Sequence, residues 1–555
     1  MIELTGIAKS GGALTKRISL APDGSLLSDG SECTMATGTA WRQRWDTLHE
    51  FGACITALKP HEAIALGALR GDLPDEVKVV TKSRLEKMNG SGAGLIARTA
   101  DHISYRTGQP ALALIDIDCK GMPASVWNLI DEIGGFWPAL VGVMPELAKT
   151  ARVVRSSTST GISRSDTGEK LPGSNGLHVF LLVQDGGDIE RFLRVLHDRC
   201  WLAGLGWMMV GAGGALLERS IVDRMVCSPE RLVFEGAPVL DPPLLQDMAS
   251  RQAIAHDGAP LDTVAACPVL TIVQQSLLRD LRDKDEHRLA PDRAKARSKF
   301  VTDQSARIVT RTGCSVPAAR RTVERQCEGV LQSDVELPFD DAELAGYTVA
   351  DVLADPDRFV GATLADPLEG VAYGRCKAKV MRRSDGEMWI NSFAHGRTTY
   401  ELRHSAGAIE AALAEAPDDQ LAASFVQLAA AGDLTGEEQQ RLRDSIAKRS
   451  GVGKRTLDQG VKEAREQQDA RRRQEQRNQR AAERRDPRPR IGVPTLDATF
   501  LPQIGVLNDV LGSSDQTIPP GRDIDGERSR LKMRTLNLLH LLQPTTTDPD
   551  QEPEA

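Results

Sequence analysis

The sequence predicts a mixed α+β protein of several domains, and three observations lead to that fold class. Its 555 residues exceed what a single hydrophobic core usually holds. Short apolar runs with the pattern of strands alternate with helix-like segments as far as about residue 250. Beyond that point the chain becomes rich in Arg, Ala, Gln and Leu, which is typical of surface helices. We therefore expect an enzyme-sized mixed domain first, followed by helical and small α+β accessory domains.

Composition and turn signals divide the chain into five predicted segments. A hairpin around a Ser-Asp-Gly turn marks the small α+β domain, and a dense run of arginines marks the start of a solvated tail. The predicted segments are a mixed domain at 1–250, a helical connector at 251–335, a small α+β domain at 336–405, a helical region at 406–468, and an Arg-rich linker with a largely disordered tail at 469–555.

Charge and cysteine usage exclude several classes of protein. The net charge of −8 lacks the basic excess of a nucleic-acid coat protein, so any DNA contact must be local. The nine cysteines form no CxxC pair, which indicates neither a zinc site nor a disulfide framework. The sequence shows neither a signal peptide nor a run of about 18 apolar residues. We expect a cytoplasmic protein that is not inserted in a membrane.

The first chemical motif is the segment "ALALIDIDCKGMP". Its apolar residues predict a strand that ends in Asp116 and Asp118, whose side chains share one face at Cα positions about 7 Å apart. Two carboxylates on one face favour a hard divalent cation such as Mg²⁺ or Mn²⁺. Two solvated aspartates at a strand end are the alternative interpretation.

The second motif is "GSNGLHVFLLV", a glycine-bearing turn that leads into an apolar strand. Gly176 allows the backbone to approach a ligand closely, and His178 can donate a hydrogen bond to a phosphate oxygen. The segment just upstream is rich in Ser, Thr and Gly and carries Arg155, Arg164 and Lys170, a composition suited to binding phosphates. A histidine bonded to a backbone carbonyl, beside a flexible surface loop, is the alternative.

The third motif is "LLERSIVDRMVCSPERLVFEG". Asp223 interrupts an apolar run, so a buried carboxylate here needs a partner, and a metal shared with the first motif is one. The alternative partner is Arg219 or Arg224, in an ordinary ion pair. Arg231 follows at a distance that suits either a phosphate contact or a plain surface position.

The order of these three motifs resembles the archaeo-eukaryotic primase superfamily, and more narrowly the bifunctional primase/polymerase domains of bacterial phages, plasmids and integrative elements. The resemblance covers roughly residues 1–250 and implies a catalytic core with an RRM-like sheet. It implies that Asp116, Asp118 and Asp223 hold two Mg²⁺ or Mn²⁺ ions and that His178 is catalytic. Many relatives place the serine two residues before the histidine, whereas Gly176 stands there in this chain and Ser174 stands four before.

The resemblance also implies the substrates. Ser174, Gly176, His178 and Arg231 match positions that contact the incoming nucleoside triphosphate, and we add Arg155 to that set. The template would be single-stranded DNA, and the products would be primers for replication of a mobile element. The sequence has no intact Walker A loop, so any replicative helicase would be a separate partner.

Three basic regions are candidate DNA contacts, and one of them is the arginine run at 471–490, for which a solvated linker is the alternative. Arg164 and Lys170 belong to the loop before the second motif. Residues 434–468 have the pattern of a helix-turn-helix, which would place Lys454 and Arg455 at the start of a recognition helix; an ordinary helical hairpin with a basic face fits equally well.

The sequence is therefore consistent with three functions. The leading hypothesis is a DNA primase/polymerase. A non-catalytic replication initiator would bind origin DNA through residues 434–468 and need no metal. A metal-dependent glycosyltransferase would use the Asp-x-Asp pair but leaves Asp223 unexplained.

Overall fold

The computed structural model describes residues 2–88, 94–371, 373–383, 386–394 and 399–483. The chain is a mixed α+β protein with several separate sheets, as the sequence predicts at that level. It divides into two compact units, Met1–Arg473 and Gln474–Ala555. The predicted linker and tail at 469–555 begin within the last helix, and their residues after Glu483 lie outside the described residues. Among the described helices, none has the length and apolar character needed to cross a membrane.

The N-terminal part of the first unit is built on a mostly antiparallel six-stranded sheet, in which β7 and β8 pair in parallel. Its central strand β1 pairs with β4 on one side and β5 on the other. The elements of this part are β1 (Ile2–Lys9), β2 (Arg17–Leu20), β3 (Leu26–Asp29), β4 (Thr37–Trp45), α1 (Leu48–Ala57), β5 (Glu62–Ala65), β6 (Ala68–Leu69), β7 (Glu76–Val80), α2 (Lys82–Lys87), β8 (Leu95–Ala97) and β9 (Ile103–Ser104). Helix α1 begins at a capping box, in which Thr47 and Glu50 bond each other's backbone N–H groups.

The next part forms a second antiparallel sheet covered by helices. Its elements are β10 (Ala111–Ile117), α3 (Ala124–Ile133), α4 (Phe136–Val143), β11 (Arg152–Ser156), β12 (Ile162–Arg164), β13 (Leu177–Val183) and α5 (Ile189–Leu202). Strand β13 lies between β10 and β11. In β10 every side chain except Asp116 is buried, because the strand is covered on both faces. That burial explains why the sequence of this strand is continuously apolar and does not alternate between apolar and polar residues.

The following elements add strands to both sheets. They are β14 (Gly206–Val210), β15 (Leu216–Ser220), β16 (Leu232–Val233), β17 (Val239–Leu240), β18 (Leu244–Gln246), β19 (Ile254–His256) and α6 (Thr263–Ala266). Strand β16 returns to pair with β5 of the first sheet, and β19 forms the edge of the second sheet beside β11. The second sheet thus includes residues beyond the predicted boundary at 250.

Two helices occupy most of the predicted connector at 251–335. They are α7 (Ile272–Thr312) and α8 (Val316–Glu328), and α7 is 41 residues long. The first half of α7 contacts α5 and β14, whereas Phe300, Val301 and Ile308 in its second half pack into the next apolar core. The segment therefore contributes to two apolar cores.

The small α+β domain contains a five-stranded sheet. Its elements are β20 (Val330–Gln332), α9 (Val349–Ala354), α10 (Pro356–Phe359), β21 (Thr363–Leu364), β22 (Ala378–Arg382), β23 (Met388–Ser392) and β24 (Thr399–Arg403). The predicted hairpin is formed by β22 and β23, while Ser384 and Asp385 of its turn lie outside the described residues.

Four helices follow: α11 (Ala406–Glu415), α12 (Leu421–Ala431), α13 (Gly436–Ser450) and α14 (Lys454–Glu483). They share an apolar core that includes Phe425, Ile446 and Leu457. Helix α13 ends at Ser450 and is capped by Gly451, whose φ of +71° suits glycine, and α14 begins at Lys454. The turn between them lies where the helix-turn-helix hypothesis places it.

Candidate functional site

The site begins with a cross-strand pair in the second sheet. Strands β10 and β13 run antiparallel in a register that sets Asp116 directly opposite His178. Directly opposed side chains share one face of a sheet, so the carboxylate and the imidazole meet. The distance between His178 Nε2 and Asp116 Oδ1 is 3.5 Å. Two residues that are 62 positions apart in the sequence thus form one pair.

Asp118 lies just beyond the end of β10, where its side chain is 45% exposed. Its Oδ1 accepts a hydrogen bond from the backbone N–H of Lys120 at 3.0 Å. Its Oδ2 lies 3.3 Å from Nη1 of Arg219. The turn therefore holds the carboxylate in place and leaves part of it open to solvent.

Asp223 joins these residues through the open edge of β10. The sequence pattern predicts that it lies within a strand, but β15 ends at Ser220 and Asp223 instead caps a short 3₁₀ turn, Arg224–Cys227. Its backbone N–H donates to the carbonyl of Asp116 at 3.1 Å. Asp118 and Asp223 line the same small depression. The two arginines suggested by the sequence as partners of Asp223 pair with other acids. Arg219 pairs with Asp118, and Arg224 pairs with Glu218.

The carboxylate of Asp116 is affected by burial and by the charges around it. Burial raises the pKa of Asp116, and the nearby Asp223 and Asp118 raise it further, although His178 opposes them. Carboxylate oxygens are the donor type that Mg²⁺ or Mn²⁺ prefers, and a cation would relieve the repulsion among the three acids. The donor type therefore fits the predicted metal ions, although the ligand atoms of the three acids do not all lie within 4.8 Å of one another.

The imidazole of His178 is held from behind by a carboxylate. Its Nδ1 contacts Oε1 of Glu235, whose side chain is 0% exposed. Burial by itself would lower the pKa of His178, but Glu235 and Asp116 outweigh it and raise that pKa. A protonated ring donates from both nitrogens, so Nδ1–H bonds Glu235 and Nε2–H faces the Asp116 side of the site.

Two buried arginines complete this network. Arg155 Nη1 lies 2.9 Å from Glu235 Oε2, and Arg251 Nη2 lies 3.2 Å from the same oxygen. Arg155 is 1% exposed and also donates to backbone carbonyls, including that of Ile55. Its predicted contact with the nucleotide is therefore corrected, because the guanidinium is enclosed in the core and bonded there.

The glycine-bearing turn before β13 packs tightly against a neighbouring serine-rich turn. The Oγ atom of Ser174 bonds the Oγ atoms of Ser157 at 2.7 Å and Ser159 at 3.1 Å. A Cβ at Gly173 would lie 2.6 Å from the carbonyl oxygen of Ser159, and a Cβ at Gly176 would lie 3.1 Å from that of Ile117. Gly173 is therefore required by contact between the two turns, whereas Gly176 packs against the end of β10.

Several cations lie near the acids. Arg231 is exposed, and its Nη1 donates to the carbonyl of Met225 at 2.9 Å. Arg219 is 8% exposed and reaches the hydroxyl of Tyr373 at 3.0 Å. The charged side chains in this group are Lys16, Lys120, Arg219, Arg231 and Lys377. Carboxylates next to a cluster of cations can hold metal ions and an oligophosphate together.

A different acidic group lies nearby. Among the described residues, one trio of His, Asp and Glu side chains has ligand atoms all within 4.8 Å of one another, namely His197, Asp198 and Glu218, and it contains none of the predicted metal ligands. Arg282 bonds both Asp198 and Glu218, and the hydrogen bond from His197 with nearby arginines overcomes burial and lowers the pKa of Glu218 to about 2. This trio is a structural network between α5, β15 and α7.

The remaining predicted contacts lie apart from this cluster. Arg164 forms an ion pair with Asp166 at 2.7 Å, and Lys170 is exposed on the same loop. Lys454 pairs with Asp444 at 3.0 Å, while Arg455 is exposed on the first turn of α14. None of the four belongs to the site around Asp116.

The sequence motifs do not single out Glu235 or Lys377, and they indicate Arg219 only as a possible ion-pair partner of Asp223. The available signal for Glu235 is the one used for Asp223, an acid next to an apolar run, here "RLVFEG". Comparison of the chain with protein-family models, curated proteins and solved structures finds no match in any of the three.

Proposed function

We propose that this protein is a DNA primase/polymerase, which joins nucleotides on a single-stranded DNA template. The observation that carries this proposal is the convergence of Asp116, Asp118 and Asp223 at one end of β10, with His178 paired to Asp116 across the sheet. Neither of the other functions considered for the chain accounts for all four residues.

The connectivity around the site supports the same proposal. The chain runs from β10 through two helices to β11 and β13, and then through α5, with β13 between β10 and β11. This is the order of a split β-α-β unit, the arrangement on which RRM-like sheets are built. The finer assignment to a primase core of the archaeo-eukaryotic type rests on this order and on the three motifs.

In the proposed reaction, the 3′-oxygen of a primer or first nucleotide attacks the α-phosphorus of the incoming nucleotide, and pyrophosphate leaves. Asp116, Asp118 and Asp223 would hold Mg²⁺ or Mn²⁺, which would activate the hydroxyl and neutralise charge on the leaving group. His178 would donate Nε2–H to a phosphate oxygen, because Glu235 keeps its ring protonated and fixed in direction. Arg231 and the turn around Ser174 would hold the β- and γ-phosphates.

The setting of the reaction is part of the proposal. The product would be a primer for replication of a phage, plasmid or integrative element in the cytoplasm. The four C-terminal helices would contact DNA through Lys454 and Arg455, and a separate helicase would unwind the duplex.

The direct test is primer synthesis by the full chain on single-stranded DNA with labelled nucleotides and Mn²⁺ or Mg²⁺. Asp223→Asn keeps the acceptor that caps the 3₁₀ turn, so it removes charge with little change in structure. We expect this variant and Asp116→Asn to lose incorporation by at least 100-fold. Asp131→Asn, on the exposed side of α3, is the matched control and should retain full activity.

Two results would contradict the proposal. Incorporation by Asp116→Asn at the wild-type rate would remove the carboxylates from the reaction. A wild-type protein that binds origin DNA, but incorporates no nucleotide with either metal, would instead be the non-catalytic initiator.

A further inference from the structure

A segment of the small α+β domain lies directly against the candidate site. Lys120 Nζ donates to the carbonyl of Tyr373 at 3.2 Å and lies 4.5 Å from the centre of its ring. Arg219 Nη2 donates to the Tyr373 hydroxyl at 3.0 Å, while its Nη1 lies 3.3 Å from Asp118. One guanidinium thus joins the small domain to a predicted metal ligand.

Lys377 follows four residues later, at the entry to β22. Its backbone is fixed in the sheet, because its N–H bonds the carbonyl of Leu364 at 3.0 Å and its carbonyl accepts from Phe393 at 2.7 Å. The ammonium lies 6.0 Å from the ring centre of Tyr373. Within the described ranges, this ammonium makes neither an ion pair nor a hydrogen bond. The backbone therefore holds a charge in place without a counter-charge.

The charges that act most strongly on Lys377 have the same sign. Burial lowers the pKa of its ammonium, and four neighbouring cations lower it further: Arg231, Lys16, Lys120 and Arg219. Like charges brought together at a half-buried position are unfavourable unless an anion joins them. The cluster draws its members from the loop before β2, the turn after β10, strand β15, the segment before β16 and the small domain. Four cations act on the one ammonium of Lys377, an arrangement that suits a short polyanion better than an extended DNA backbone.

We propose that Lys377 binds the triphosphate of the incoming nucleotide, so that the small α+β domain completes the active site. This inference rests on the proposed function and assigns a role to residues 336–405. Tyr373 is a positioning residue, because it holds Arg219 and Lys120 beside Asp118. Nucleotide binding then requires both domains, and the phosphates neutralise the cluster.

The test compares Lys377→Ala with Lys379→Ala. Lys379 lies on β22 of the same domain and is not among the cations near the cleft, so its variant removes an equal charge from a neutral position. We expect Lys377→Ala to raise the nucleotide KM and the inhibition constant of inorganic tripolyphosphate by about tenfold, with no change in affinity for single-stranded DNA. Lys377→Arg should restore most of the loss, and Lys379→Ala should match the wild type.

The outcomes separate this inference from the proposed function. If the wild type incorporates nucleotides and Lys377→Ala has an unchanged KM for them, the role of Lys377 is refuted while the function stands. If Lys377→Ala instead weakens only DNA binding, the residue contacts the template and the inference is also wrong. If the wild type is inactive but tripolyphosphate binds with dependence on Lys377, the anion site stands and the proposed function fails.

Discussion

His178 and Glu235 are joined through Nδ1 and Oε1, and the carboxylate that holds the imidazole is wholly buried. A buried carboxylate that also bonds Arg155 and Arg251 cannot turn away, so the ring has one orientation. The imidazole then presents Nε2 towards Asp116. This relationship determines which protonation state the site uses.

The first prediction concerns pH. The pKa of His178 is raised above its ordinary value of 6.5, so the wild type should keep its nucleotide KM as pH rises through 6.5 and lose affinity only above it. Glu235→Gln removes the anion that raises this pKa, so its KM should start to rise at lower pH. The measurement is KM against pH between 6 and 9.

His178→Gln supplies the control for that experiment, because it has no imidazole to titrate. Its KM should be about tenfold higher and should show only the pH dependence of the nucleotide and metal themselves. Identical pH profiles for the wild type and Glu235→Gln would refute the role given to Glu235.

The same pair sets a pH window for folding stability. A His with a raised pKa contributes stability that is complete below its unfolded pKa and is lost as pH rises through the folded pKa. Glu235 has a lowered pKa, despite burial, because His178 and the arginines oppose protonation, so its contribution is lost as pH falls through that lowered value. Urea unfolding of the wild type against His178→Gln should therefore differ most near pH 5 to 6.

The second prediction concerns Arg155, which the structure moves from the nucleotide site to the core. Arg155→Met leaves Glu235 with one arginine fewer in a buried position, where breaking an ion pair costs about 3–5 kcal/mol. Arg164→Met breaks a surface pair with Asp166 and should cost less than about 1 kcal/mol. Denaturant unfolding of the two variants compares them directly, and equal losses of stability would contradict the buried network.

The third prediction concerns metal and stability. Repulsion among Asp116, Asp118 and Asp223 weakens the fold when no cation is bound, so Asp116→Asn should raise Tm by a few degrees in EDTA. Saturating Mn²⁺ should raise the Tm of the wild type and leave that of Asp116→Asn nearly unchanged, because a ligand that binds only the folded state stabilises it. Thermal melts with and without Mn²⁺ test this, and equal Mn²⁺ shifts in both proteins would place the metal elsewhere.

The fourth prediction concerns DNA binding by the C-terminal helices. Arg455 is exposed at the start of α14, so Arg455→Ala should weaken binding to DNA and lower the slope of log K against log salt by about 1. Lys462→Ala is the control on the same helix, where Lys462 pairs with Glu466 at 3.9 Å. A salt slope that is unchanged by Arg455→Ala would leave these helices a structural role.

The sequence by itself determined the strand that ends in Asp116, the turn before His178 and the start of α14 at Lys454, because each depends on local apolar runs, glycines and caps. The apolar run around Asp223 also indicated that this carboxylate needs a partner, although Asp223 caps a 3₁₀ turn and does not lie in the predicted strand. Tertiary structure alone decided that Arg155 is buried, that Glu235 stands behind His178 and that Tyr373 and Lys377 reach Asp118's surroundings. These relationships depend on strand register and on contacts between segments far apart in the chain, and a local pattern of residue types carries no information about either.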